Sequence, residues 1–288
     1  MALKLFAVLI VLAAMALAPH WLRYRHWRIY DAWLRQLQGS SGLAWLLLAV
    51  LVPTMVVSLV SVALYGVAFG LLSLLFAIAV LGFCLRDVGP EVDAVLAAGT
   101  RETRAEAAAA LYVDAETPED PLDPDTLVEA VMVAALRRRF GVLFWFFLLG
   151  PGGAVLYHLG VRATADATAH DVHEARHMGT RLAAVLDWIP AHLMALSIAL
   201  ASNFDAVVHA WRAWHGAAQR VAWEFGAGFL GAVARAGVRA DIEDEGEVLV
   251  DGSNAACNQL ADARHLLTRV LVLWLCAAAI IVLAGWVV

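Results

Sequence analysis

The sequence has little charge and few cysteines. Asp, Glu, Lys and Arg together make 16% of its 288 residues, against about 25% in ordinary soluble domains. Between Arg35 and Arg86 there is no charged residue at all. The three cysteines, Cys84, Cys257 and Cys276, form no C-x-x-C pair. They exclude a disulfide framework and a thiolate metal site, and Cys84 and Cys276, in apolar runs, read as packing residues. A phosphate-binding Gly-rich loop, a Ser-His-Asp set and a paired Cys/His site are all missing. The net charge of −6 and arginines confined to short clusters exclude a nucleic-acid partner.

What is present is apolar. With 62% hydrophobic residues, the chain reads as an all-α, polytopic α-helical integral membrane protein with a cytoplasmic helical layer, and the lipid bilayer is its first partner. Residues 43–85 would be about 64 Å long as one helix, twice the hydrocarbon thickness. That stretch is expected to cross twice and to reverse near Tyr65 and Gly66. The expected spans are 3–20, 43–64, 67–85, 140–160, 183–202 and 268–288. Aqueous helical insertions are expected at 86–139 and 203–265. The first span carries Lys4 and a signal-peptide-like apolar core, but Pro19 argues against cleavage after Ala18. Residues 21–38 mix arginines with Trp27, Tyr30 and Trp33 and read as a basic connector in the headgroup region. Gly66 and Gly70 form a GxxxG pair.

Six crossings with both ends outside place 15 of the 20 Lys and Arg in cytoplasmic loops, the asymmetry expected of an inner-membrane, multi-pass protein. A four-crossing version leaves 1–18 and 183–202 in or partly within the membrane. In the first insertion a helix is expected over 91–113, followed by an acidic Pro-rich turn and a helix capped by Asp125 or Thr126.

The centre of the pattern is Arg137-Arg138-Arg139, which runs directly into Phe140-Gly141-Val142-Leu143 and, further on, Gly150-Pro151-Gly152-Gly153. Glycine and proline there predict an interrupted helix, and exposed backbone at membrane depth is tolerated only against protein or a water-filled cavity. Asp187-Trp188-Ile189-Pro190 interrupts another apolar run, and an intramembrane acid usually faces a cavity or a cation. Arg137, Arg138, Arg139, Gly150, Gly152, Gly153, Asp166, Asp187 and Trp188 are therefore the candidate ligand-binding residues, and the arginines suit an anionic small molecule carrying phosphate or carboxylate. The competing explanation has the glycines allowing close packing and Asp187 capping a helix. Convergence of Asp166, Asp187 and Glu129 on the arginines would favour a ligand site.

His173-Glu174-Ala175-Arg176-His177 spells H-E-x-x-H, two histidines one turn apart with a glutamate to activate water. Arg176 between the ligands, the lack of a spaced third ligand and the polar setting argue for a solvated helix edge. Residues 241–247 are acidic but lack the spaced oxygen ligands of a Mg²⁺ or Ca²⁺ site. No metal is expected.

Residues 143–145 and 150–157, together with Val185-Leu186-Asp187-Trp188-Ile189-Pro190-Ala191-His192-Leu193 and the order of the parts, resemble the AmpE family of bacterial inner-membrane proteins. The resemblance implies a regulatory role linked to β-lactamase induction. The AmpE pattern is in turn distantly similar to the CobD/CbiB cobalamin-biosynthesis membrane proteins, which join an aminopropanol unit to a corrinoid acid with ATP and Mg²⁺. Their G-G-P-P-G-A-L-L-Y run corresponds to 150–157. Their polar A-E-N, D-G and N-T-L-D runs fall near 132–134, 137–138 and 161–164, where they are not retained. A two-residue slip brings Asp166 near the lost aspartate, while no slip restores the Glu-Asn pair.

The resemblance thus implies a retained scaffold without the ligase residues: a signalling modulator that senses or binds a ligand, a membrane-protein partner or a second copy of itself. No catalytic residue is assigned and no cofactor is expected. Mg²⁺ and a nucleotide belong only to the alternative, a membrane enzyme of CobD/CbiB-like amide-ligase or phospho-ligand chemistry. An H-E-x-x-H metalloprotease is a third alternative.

Overall fold

The computed structural model describes residues 2–17, 28–37, 42–65, 70–112, 118–169, 173–216, 228–244 and 253–285, and these are all-helical apart from turns. In chain order the helices are α1 (Ala2–Leu17), α2 (Arg28–Gln36), α3 (Gly42–Ala63), α4 (Leu71–Cys84), α5 (Gly89–Ala97), α6 (Arg101–Ala109) and α7 (Pro124–Ala135). A π-helical turn at Leu136–Phe140 follows, then α8 (Gly141–Leu149), α9 (Pro151–Ala169), α10 (His173–Ala201), α11 (Phe204–Gly216), α12 (Gly228–Asp244) and α13 (Ser253–Leu283). Four stretches, Ala44–Ala63, Leu71–Ala97, His177–Ala201 and Ala256–Leu283, are long and apolar enough to cross a membrane. α1 is apolar but shorter.

Several boundaries differ from expectation. The helix expected over 91–113 is two, because Gly99 breaks it and Thr100 starts α6 with a capping box to Thr103. Asp123, rather than Asp125 or Thr126, caps α7 by accepting from the Thr126 N–H. The run expected to begin at 183 is part of α10, which starts ten residues earlier, so Asp187 sits inside a helix and caps nothing. Cys84 is buried as expected, whereas Cys276 is exposed. Gly66 and residues 21–27 and 38 of the connector lie outside the described residues, and the rest of the connector holds α2.

The chain divides into two compact units. The first comprises Met1–Arg86, Gly141–Leu186 and Ala278–Val288. Here α9 packs on α3, α4 and α8, and α1 packs on α4 and α8. On α3 one face is buried at Trp45, Leu46, Ala49 and Val50, while Leu51, Met55, Val56 and Leu59 are exposed. In water such a surface would aggregate; it is what a helix needs where its outer face meets lipid.

At Pro53, Pro151 and Pro190 the helix backbone is repaired the same way, each time by a side chain of this unit. A proline lacks the N–H that would bond the carbonyl four residues earlier. Pro53 leaves Ala49 O without that partner, and the Tyr30 hydroxyl donates to it at 3.4 Å. Pro151 does the same to Phe147 O, which accepts from Lys4 Nζ at 2.9 Å. Pro190 does it to Leu186 O, which accepts from Trp145 Nε1 at 3.1 Å. Each donor comes from a different helix, so the helix breaks become tertiary contacts, the condition under which proline survives at membrane depth.

The second unit comprises Asp87–Phe140 and Asp187–Ala277. Its core joins Val92 and Val95 of α5, Ala108 of α6, Val131 of α7, Ile198 of α10, Leu230 of α12 and Leu260 of α13. Around this core runs a set of ion pairs: Arg101–Asp120, Arg235–Glu129, Arg239–Asp125, Arg264–Asp93 and Arg269–Asp241. Individually these partly exposed pairs are worth little. Together they engage much of the unit's arginine internally.

Candidate functional site at the arginine turn

Arg137, Arg138 and Arg139 occupy the π turn that joins α7 to α8. A π turn holds one more residue than an α turn, so successive side chains diverge by a smaller angle, and such turns are frequent at functional sites. The consequence is visible in the partners. Arg138 Nη1 donates to Glu91 Oε1 at 3.1 Å, and Arg138 Nη2 to Ala110 O at 2.9 Å. The neighbouring Arg139 pairs with Asp87. Asp87 and Glu91 are four residues apart at the start of α5, so two consecutive arginines reach one helix end. The Asp87 carboxylate also accepts from the Val88 and Gly89 N–H groups. Burial pushes the Arg139 guanidinium down to about 10, which leaves it charged at neutral pH and in need of its carboxylate.

Arg137 faces elsewhere. Its Nε donates to Asp187 Oδ2 at 3.2 Å, with the Asp187 side chain 1% exposed and that of Arg137 22%. The intramembrane acid expected to need protonation or a cation thus has the cation. Beyond it, Trp188 and Phe229 flank the His192 ring, at 4.8 and 4.5 Å between centroids, and His192 Nδ1 lies 2.7 Å from Trp188 O.

Of the acids expected to converge on the arginines, Asp187 does and Glu129 does not. Glu129 pairs with Arg235, and its side chain fills the space beside Gly231. The Asp166 side chain lies outside the described residues. Sequence reasoning does not find Asp87 and Glu91, although the sequence holds a signal for them: both lie within six residues of the end of the uncharged 36–85 run, as the arginines lie at the start of the next one.

Gly150, Gly152 and Gly153 belong to the first unit. Gly150 has φ +75°, a left-handed conformation that ends α8 and that L side chains rarely adopt. A Cβ on Gly152 would lie 2.0 Å from Ser58 Oγ, and one on Gly153 would lie 2.2 Å from Trp145 O. At these positions the glycines permit close backbone approach.

Of the H-E-x-x-H residues, His177 is exposed on α10, and the side chains of His173 and Glu174 lie outside the described residues. Among the described residues no group of three His, Cys, Asp or Glu could hold a metal ion. Protein purified without a His tag is expected to carry no stoichiometric zinc. Zinc at one equivalent, lost in a His173→Ala/His177→Ala variant, would reverse that expectation.

Residues 3–223 match the family described as regulatory signalling modulator protein AmpE. The chain belongs to the AmpE family. No curated protein and no solved structure matches it. The AmpE match takes in Asp87, Glu91, the arginine turn, the Gly150 reversal and Asp187, and stops before α12. Family membership supports a regulatory role, and with four apolar helices of sufficient length the chain is a membrane protein.

Proposed function

We propose that this AmpE-family chain is a multi-pass inner-membrane signalling modulator of β-lactamase induction, in which the arginine turn is an ion-pair lock opened by an anionic ligand. The observation that carries this reading is the closure of all three arginines by carboxylates from separate segments, Asp187 on α10 and Asp87 and Glu91 at α5. A phosphate or carboxylate ligand would compete with those side chains for the same guanidinium forks. Binding to the open state alone would shift the population by the ligand's differential affinity, which is all that signalling requires. The arginine asymmetry of the sequence supports a cytoplasmic position for 86–139 and 203–265.

The test is the double variant Arg137→Met/Asp187→Leu, which removes the buried pair without leaving an isolated charge. It is expected to accumulate in the membrane but to shift the inducer concentration needed for β-lactamase expression. A double variant that accumulates normally and keeps the wild-type induction curve would make the pair a structural element only.

A further inference from the structure

We infer that α8 and α9 form a re-entrant hairpin, entering and leaving the membrane on one side, and that Lys4 of α1 latches its tip. The sequence alone suggests one interrupted crossing over 140–160. A Cβ on Gly153 would meet Trp145 O, and a Cβ on Gly141 would meet the Tyr157 ring at 2.1 Å. Four residues back along α8 are thus matched by four forward along α9, which is the register of an antiparallel pair. The reversal sits at Gly150, with its φ of +75°. α8 has nine residues, about 13 Å of helix, against a hydrocarbon core of about 30 Å.

The charges agree with a return to the starting side. The uncharged stretch 140–161 is bracketed by Arg139 and Arg162. If the hairpin returns and α10, whose Ala191, Met194 and Ile198 are buried in the second unit's core, does not cross either, Arg162, Arg176 and Arg181 join the arginine-rich side together with the arginines of 203–265, leaving Lys4 and the boundary residue Arg269 as the exceptions. This is a stronger asymmetry than six crossings give.

Lys4 is the one lysine in the chain. Its ammonium donates to Phe147 O at 2.9 Å, the carbonyl that Pro151 leaves without a helical partner. Its Cε lies 3.8 Å from where a Gly150 Cβ would stand. A cation at the carbonyl end of α8 also complements the helix dipole. The first helix therefore holds the turn of the hairpin closed through a single charged hydrogen bond.

The experiment uses the full chain in intact cells, with Cys84, Cys257 and Cys276 replaced and a membrane-impermeant maleimide as the probe. Gln36→Cys on α2 and Thr180→Cys on α10 are both exposed positions. They are expected to react alike, from the same side of the membrane; reaction from opposite sides would overturn the hairpin. At the tip, Leu149→Cys is exposed. It is expected to react about tenfold faster when Lys4→Met is added, the effect of losing one charged hydrogen bond, while Lys4→Arg keeps the slow rate. An unchanged rate in Lys4→Met would overturn the latch. Should Lys4→Met fail to accumulate, Lys4→Ala is read by the same rate comparison.

Discussion

Asp187→Asn is expected to destabilise the protein by about 3 kcal/mol, near the lower end for removing one partner of a buried ion pair. Asp187 is fully buried while Arg137 keeps some contact with solvent, so the orphaned cation is partly rescued by water. Arg137→Met should cost a similar amount, because it strands the buried carboxylate. The double variant Arg137→Met/Asp187→Leu should recover to within about 1 kcal/mol of the parent, since an apolar pair of similar volume escapes the desolvation cost. Unfolding of the purified protein in detergent, followed by tryptophan fluorescence against denaturant, measures all three. Single variants as stable as the parent would show that the contact does not hold the turn. A double variant as damaged as the singles would show that the pair has a role that packing cannot replace.

The second large effect is expected at neighbouring glycines and differs between them. Gly153→Ala places a methyl group 2.2 Å from Trp145 O and 2.7 Å from Leu149 Cβ. The nearest atom is backbone, so the hairpin itself must move. Despite a helix-propensity gain of about 1 kcal/mol, the net cost is expected to be about 3 kcal/mol. Gly152→Ala meets the Ser58 hydroxyl at 2.0 Å and its Cβ at 3.2 Å. A single side-chain atom is the obstacle, so Ser58→Ala should restore Gly152→Ala and should do nothing for Gly153→Ala. The same unfolding assay reads the set. Equal costs at the two glycines, or no rescue by Ser58→Ala, would contradict the packing described for α3, α8 and α9.

Much of the fold was legible because it depends on the polarity of consecutive residues. The uncharged run between Arg35 and Arg86 predicts two apolar helices, and α3 and α4 occupy it. The glycines at 150–153 predict a break, and Gly150 provides it. Polarity says less about where a helix starts. The apolar run from 183 marks only the later part of α10, whose first turns from His173 are polar, because the i to i+4 backbone bonds of a helix form whether its face is apolar or not. The arginine triplet announces a boundary, and its partners are legible only in part: Asp187 stands out as an acid in an apolar run, whereas Asp87 and Glu91 open an aqueous insertion that holds many other acids.

The sequence by itself determined the helical class, the apolar stretches, the position of the arginines at the end of one and, through residues 3–223, the AmpE family. These follow from local composition and spacing, which need no knowledge of neighbours. Only the tertiary structure decided which carboxylate closes each arginine, that Tyr30, Lys4 and Trp145 repair the carbonyls left by Pro53, Pro151 and Pro190, and that α9 turns back along α8. The reason is sequence distance. Lys4 and Phe147 lie 143 residues apart, Arg137 and Asp187 fifty, and a donor and acceptor so separated meet only through packing of the helices that carry them.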